Sequence, residues 1–179
     1  AALAADVLER VVDAAREEAA AREEAARDGA VARRYRDAGA AAVDHPARIP
    51  PALRRFAGQA LDRLLADGPA RDRALGEVLS EPKPGTWFDA GPARRATRGI
   101  ALDRRTRMLY DDRFVFVNGE AVRASGPDAM LLRRLADERR LDAKSIARAG
   151  AAARALLADW LRAGWCVQLA TRFDSEEST

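Results

Sequence analysis

"RFVFVNGEAVRAS", residues 113–125, differs in composition from everything around it. The flanking chain is mostly alanine, arginine, leucine and acid, which favour helices. Here aromatic and β-branched residues meet at Asn118-Gly119. Asn-Gly between two apolar runs predicts a β-hairpin, because a type I′ turn needs positive φ at both central residues. With a two-residue loop, Val117 faces Glu120, Val115 faces Val122 and Arg113 faces Ala124. Phe114, Phe116, Ala121 and Arg123 take the other face. Both faces are largely apolar, so the hairpin is predicted to be covered on both sides.

Downstream of the hairpin, Ser125 is placed to cap a helix that begins at Pro127, with Met130, Leu131, Leu135 and Ala136 inward. A short helix is predicted over 142–148. A third follows over 151–163, with Leu156, Leu157, Trp160 and Leu161 inward and Gly164 ending it. "WCVQLATRF" then reads as a returning strand. Hairpin, three helices and strand predict a winged-helix-like domain over residues 91–179, its sheet elements pairing beside a three-helix core.

Upstream, "IALDRRTRMLYDD" holds a short strand near Arg107–Tyr110, and "GPARRATRG", 91–99, reads as a linker. Residues 1–90 are predicted to form a helical, dimerisation-like region. Leu3, Val7, Leu8, Val11, Val12 and Ala15 recur at helical spacing. "AREEA", at 15–19 and again at 21–25, continues that helix as a solvated extension, with Glu18–Arg22 and Glu23–Arg27 at i,i+4. Pro50-Pro51 opens a second helix with the stripe Leu53, Phe56, Ala57, Ala60, Leu61, Leu64 and Leu65. Gly68-Pro69 stops it. A shorter helix follows, with Ala74, Leu75, Val78 and Leu79 inward, and "EPKPG" ends that one. The fold class is mainly α with a small β component. Three short helices with one strong apolar stripe form a bundle open enough to seek a partner.

The chemistry-bearing residues are few. The chain has one histidine, His45, and one cysteine, Cys166. A non-haem iron site needs two histidines and a carboxylate, and a catalytic zinc site two or three nitrogens, so one histidine supplies neither. His45, before Pro46, reads as a turn residue. Cys166 lies in the predicted strand with no histidine close in sequence, and reads as a buried, inert thiol. No phosphate-binding glycine loop is present. The acid pairs Glu17-Glu18, Glu23-Glu24 and Asp111-Asp112 read as solvated faces. Trp87-Phe88 reads as a hydrophobic latch, with a binding platform as the alternative.

All but two of the 31 basic residues are arginine, the exceptions being Lys83 and Lys144. Residues 1–90 carry 14 basic and 16 acidic side chains, and residues 91–179 carry 17 and 12. The third helix of the winged-helix layout would be the recognition helix. Its outward residues are Ala151, Ala152, Ala153, Arg154, Ala155, Asp159 and Arg162, too few cations and amides for base reading. That face argues against nucleic acid as a partner and for protein packing, with a nucleic-acid-binding winged helix as the alternative. No apolar run spans a bilayer, the opening "AALAADVLER" lacks a secretory signal, and a single cysteine fits a cytoplasmic location.

Three stretches carry a family likeness: "LGEVLSEPKPGTWFD" at 75–89, "LDRRTRMLYDDRFVFVNGEAVRASGPDAMLLRRLADERRL" at 102–141, and "LLADWLRAGW" at 156–165. In this order and spacing the chain resembles the C-terminal part of bacterial cupin-type, JmjC-like ribosomal oxygenases, with a ROXA-like winged helix. The likeness covers roughly residues 45–165. It implies a parent enzyme that uses Fe(II) and 2-oxoglutarate to hydroxylate an arginine of a ribosomal protein substrate. In that family a cupin catalytic domain precedes a helical dimerisation region and a winged helix. The family's metal motif, His-x-Asp/Glu with a distal His, has no match here. No catalytic, cofactor-binding or metal-ligating residue is therefore assigned to any position. The resemblance implies a homodimer through the helices, and a chain inactive as a hydroxylase by itself.

Overall fold

The computed structural model describes residues 2–26, 47–91, 96 and 98–169. It divides into two compact units, Ala1–Leu75 and Gly76–Thr179.

The first unit is helical. α1 runs from Ala2 to Ala26, and Val11 is its buried residue. Its second half is solvated, and Arg22 pairs with Glu18 at 2.9 Å. Glu23–Arg27 lies outside the described residues, as does His45. α2, Pro51–Ala66, starts as proline at its first turn allows. Asp67 ends α2 and at once caps α3, Gly68–Ser80, accepting from the amide of Ala70 at 3.0 Å. Gly68-Pro69 therefore restarts a helix as well as stopping one.

Among its described residues the second unit holds six strands and three further helices. The strands are β1 (Ile100–Leu102), β2 (Met108–Tyr110), β3 (Phe114–Val117), β4 (Glu120–Arg123), β5 (Arg140–Leu141) and β6 (Cys166–Gln168). The helices are α4 (Gly126–Glu138), α5 (Ala143–Ala147) and α6 (Ala151–Arg162). β3 and β4 pair in the predicted register, Val115 opposite Val122 and Val117 opposite Glu120. Asn118 and Gly119 take φ of 49° and 90°, the two positive values a type I′ turn requires.

The described strands form two sheets. The hairpin belongs to the order β2-β3-β4, while the returning strand β6 lies in β5-β1-β6. β1 is the central strand of that second sheet. Three residues are too few to show alternation, so the sequence carries no strand signal for it just past the expected linker.

Both faces of β3 are covered. Val115 and Val117 join the main core with Leu132, Leu135, Leu157 and Trp160. Phe116 turns the other way and lies flat on Gly76 of α3, whose missing side chain makes the room. β4 is only half covered, and its ends, Glu120 and Arg123, are exposed.

Several inward assignments shift. On α4 the buried residues are Ala129, Leu132 and Leu135, and Met130 is 71% exposed. Met130 stands two residues from Leu132, about 200° around the helix, so one stripe cannot hold both. On α3, Leu75 and Leu79 are exposed, and Gly76, Glu77 and Ser80 are buried with Ala74. Small residues let the backbones approach there: the Ser80 hydroxyl accepts from the amide of Gly119 at 3.1 Å. On α6, Ala153 is buried with Leu157, Trp160 and Leu161, so it leaves the outward set.

Candidate interaction surfaces

The helical unit offers an apolar groove of about 710 Å³. Leu3, Val7, Leu8 and Val11 of α1 line it, with Leu65 of α2 and Leu75 of α3. Arg71 and Asp72 are its polar members. The stripe predicted for α2 exists but is uncovered: Leu61 is 58% exposed and Leu65 47%, and no residue of that helix is buried. Isolated exposed leucines are ordinary, but a row of them along a groove is the pattern of an interface.

The outward face of α6 carries little free charge. Arg162 pairs with Asp159 at 2.6 Å, and Arg154 donates to the Ala149 carbonyl at 2.6 Å. Ala151, Ala152 and Ala155 fill the remainder. This face has nothing to read a base edge with.

Cys166, the first residue of β6, is buried, and desolvation pushes its thiol up to about 12. At neutral pH the thiolate, the reactive form, is then almost absent. In native protein a disulfide reagent is expected to leave Cys166 unmodified for hours, and to modify it within minutes in denaturant. Rapid native labelling in a thiol-release assay would contradict the burial.

Trp87 and Phe88 separate. Phe88 is the latch: its ring meets Trp165 edge-on at 6.4 Å, and the guanidinium of Arg105 lies 5.4 Å over its centroid. Trp87 is 81% exposed. Arg105 organises this corner, donating to the Trp87 carbonyl at 2.6 Å and to Asp103 at 2.9 Å. The hydrogen bond from the Arg105 side chain lowers the Asp103 carboxyl from its ordinary value. The sequence sign of this arrangement is Asp-x-Arg at 103–105, where Asp103 also accepts from the Arg105 amide at 2.8 Å. Of the acid pairs, Asp111 proves to be a turn residue, accepting from the amides of Arg113 and Phe114. Among the described residues, no group of three or more His, Cys, Asp or Glu is placed to hold a metal ion. None of the described helices is long and apolar enough to cross a membrane.

Helices α5 and α6 form a helix-turn-helix, packed with α4 beside the β5-β1-β6 sheet, and this defines a winged-helix domain. The chain belongs to the ROXA-like winged-helix family, whose model matches residues 64–167. The likeness read from the three sequence stretches and the family match agree. Among solved structures, the fold is similar to that of Escherichia coli ribosomal oxygenase YcfD. One crystal structure of YcfD gives a TM-score of 0.64 at 18% identity, over 93% of this chain and 45% of that one. YcfD in complex with cobalt and succinic acid gives 0.66 at 18% identity, over 94% and 46%. YcfD with cobalt and 2-oxoglutarate gives 0.60 at 18% identity, over 77% and 41%. The chain thus spans less than half the length of the structures it matches. No curated protein matches the sequence.

Proposed function

We propose that this chain is the dimerisation and winged-helix part of a ribosomal oxygenase, a 2-oxoglutarate- and Fe(II)-dependent protein hydroxylase acting in the cytoplasm on a ribosomal protein. Its own task is protein–protein interaction: it pairs two copies and supports substrate binding. The observation that carries this reading is the extent of the fold likeness. It covers 93% of this chain, well beyond the family match at 64–167, and so takes in the helical unit. The uncovered leucines of α1 and α2 suit a self-complementary contact.

The residues present do not fit the oxygenase's iron. Two histidines and a carboxylate are the required donors, and the sequence has one histidine. Two measurements test the reading. Light scattering at about 10 μM is expected to give twice the chain mass, since a functional homodimer holds at micromolar concentration. Supplied with Fe(II) and 2-oxoglutarate, the chain alone is expected to release no succinate. A monomer throughout, or iron-dependent succinate release, overturns the corresponding half.

A further inference from the structure

One corner of the winged-helix unit combines an exposed aromatic ring with a group of arginines, most of which form no ion pair among the described residues. Trp87, at 81%, is the most exposed large hydrophobic side chain among the described residues. Its backbone is fixed from behind, by the carbonyl bond to Arg105 and by Phe88 against Trp165. The Cα of Gly164 closes on the Asp89 carbonyl, and the Gly91 amide donates to the Arg162 carbonyl at 2.9 Å. The indole therefore projects from a fixed backbone ledge, and little backbone ordering remains to be done on binding.

The turn beside it, Asp103–Arg107, is equally fixed. Thr106 is buried, and its hydroxyl donates to the Trp165 carbonyl at 2.8 Å. The turn displays Arg104, Arg105 and Arg107. Arg139 joins them by donating to the carbonyls of Asp103 at 2.8 Å and Thr106 at 3.1 Å. Arg107 donates to the Glu81 carbonyl at 2.9 Å. A neutral carbonyl orients a guanidinium without cancelling its charge. Arg104, Arg107 and Arg139 form no ion pair among the described residues, whereas Arg105 is taken up by Asp103 and Asp89.

We infer that this ledge binds single-stranded RNA, one base stacking on Trp87 while backbone phosphates lie against Arg104, Arg107 and Arg139. An exposed ring next to cations is how unpaired strands are held without sequence reading. A duplex hides its base faces and would leave the indole idle. An acidic peptide would use the arginines but has no flat ring for the tryptophan. The expectation against nucleic acid was argued for α6, and this surface is a different one. The choice of RNA over DNA rests on the ribosomal reading above. The stacking site itself does not, and a chain that fails to dimerise leaves this test intact.

The probe is a fluorescent twelve-nucleotide oligouridylate, titrated with the whole chain and read by anisotropy at low and rising salt. Binding is expected, with quenching of the exposed tryptophan, since Trp160 is buried and Trp165 half-buried. Trp87→Ala is expected to weaken it about tenfold or more, the loss of one stacked base. Arg104→Gln with Arg107→Gln is expected to reduce the salt slope by about 1.4, two phosphates at about 0.7 each. Arg154→Gln with Arg162→Gln, on α6, is expected to change nothing. The inference is overturned by no binding at low salt, or by Trp87→Ala binding like the parent. It is also overturned by tighter binding of an oligothymidylate of equal length, or of a poly-glutamate peptide.

Discussion

Replacing Phe116 with alanine is expected to cost about 3–5 kcal/mol of folding stability, measured by urea denaturation. The ring is buried and faces away from the main core, so its loss uncovers the helix beneath it. A Cβ on Gly76 would come within 2.3 Å of that ring, closer than any real contact. Gly76→Ala in the parent is therefore expected to destabilise, by about 1–3 kcal/mol of overpacking. In the Phe116→Ala background the same change meets no ring. Alanine is the better helix former by about 1 kcal/mol, so there it is expected to be neutral or stabilising. The sign reversal is the result to look for, because neighbours in contact do not add. If Gly76→Ala destabilises equally in both backgrounds, Phe116 does not rest on α3.

That pair also shows what the sequence could and could not disclose. The hairpin register was legible because Asn118-Gly119 admits one turn type, and the turn fixes every cross-strand partner. The α6 core positions were legible because Leu157, Trp160 and Leu161 are large and periodic. The covering of Phe116 was foreseen only as a need. Its cover, the face of Gly76, Glu77 and Ser80, has no hydrophobic signal, since close approach selects small residues. β1 and β5 were missed because two or three residues show no period, and without them the returning strand β6 has no visible partner. The ledge was half legible. Trp87 stood out as aromatic, but Arg107 and Arg139 take backbone carbonyls as partners, and a sequence does not show which arginines form no ion pair.

Leu61→Asp combined with Leu65→Asp is expected to convert the dimer into a folded monomer. In the proposed dimer each substitution appears twice, because a two-fold contact uses the same patch on both copies. Fully burying one leucine contributes about 1.5–3 kcal/mol, and these two have about half of their surface left to bury, so losing two on each of two copies removes roughly 3–6 kcal/mol, a large share of the about 8 kcal/mol that holds a micromolar complex. Each aspartate adds a carboxylate that resists leaving water. The monomer has no comparable reason to suffer. Leu61 is 58% exposed and Leu65 47%, and surface changes away from special features usually stay within about 0.5 kcal/mol. The expected outcome is a halved mass by light scattering, with helical circular dichroism and the urea midpoint of a dilute, dissociated sample unchanged. Leu109→Asp is the control. It is 40% exposed on β2 of the other unit, and is expected to leave the dimer whole. If the control dissociates the protein and the α2 pair does not, the partner surface lies on the winged helix and the leucine groove has another occupant.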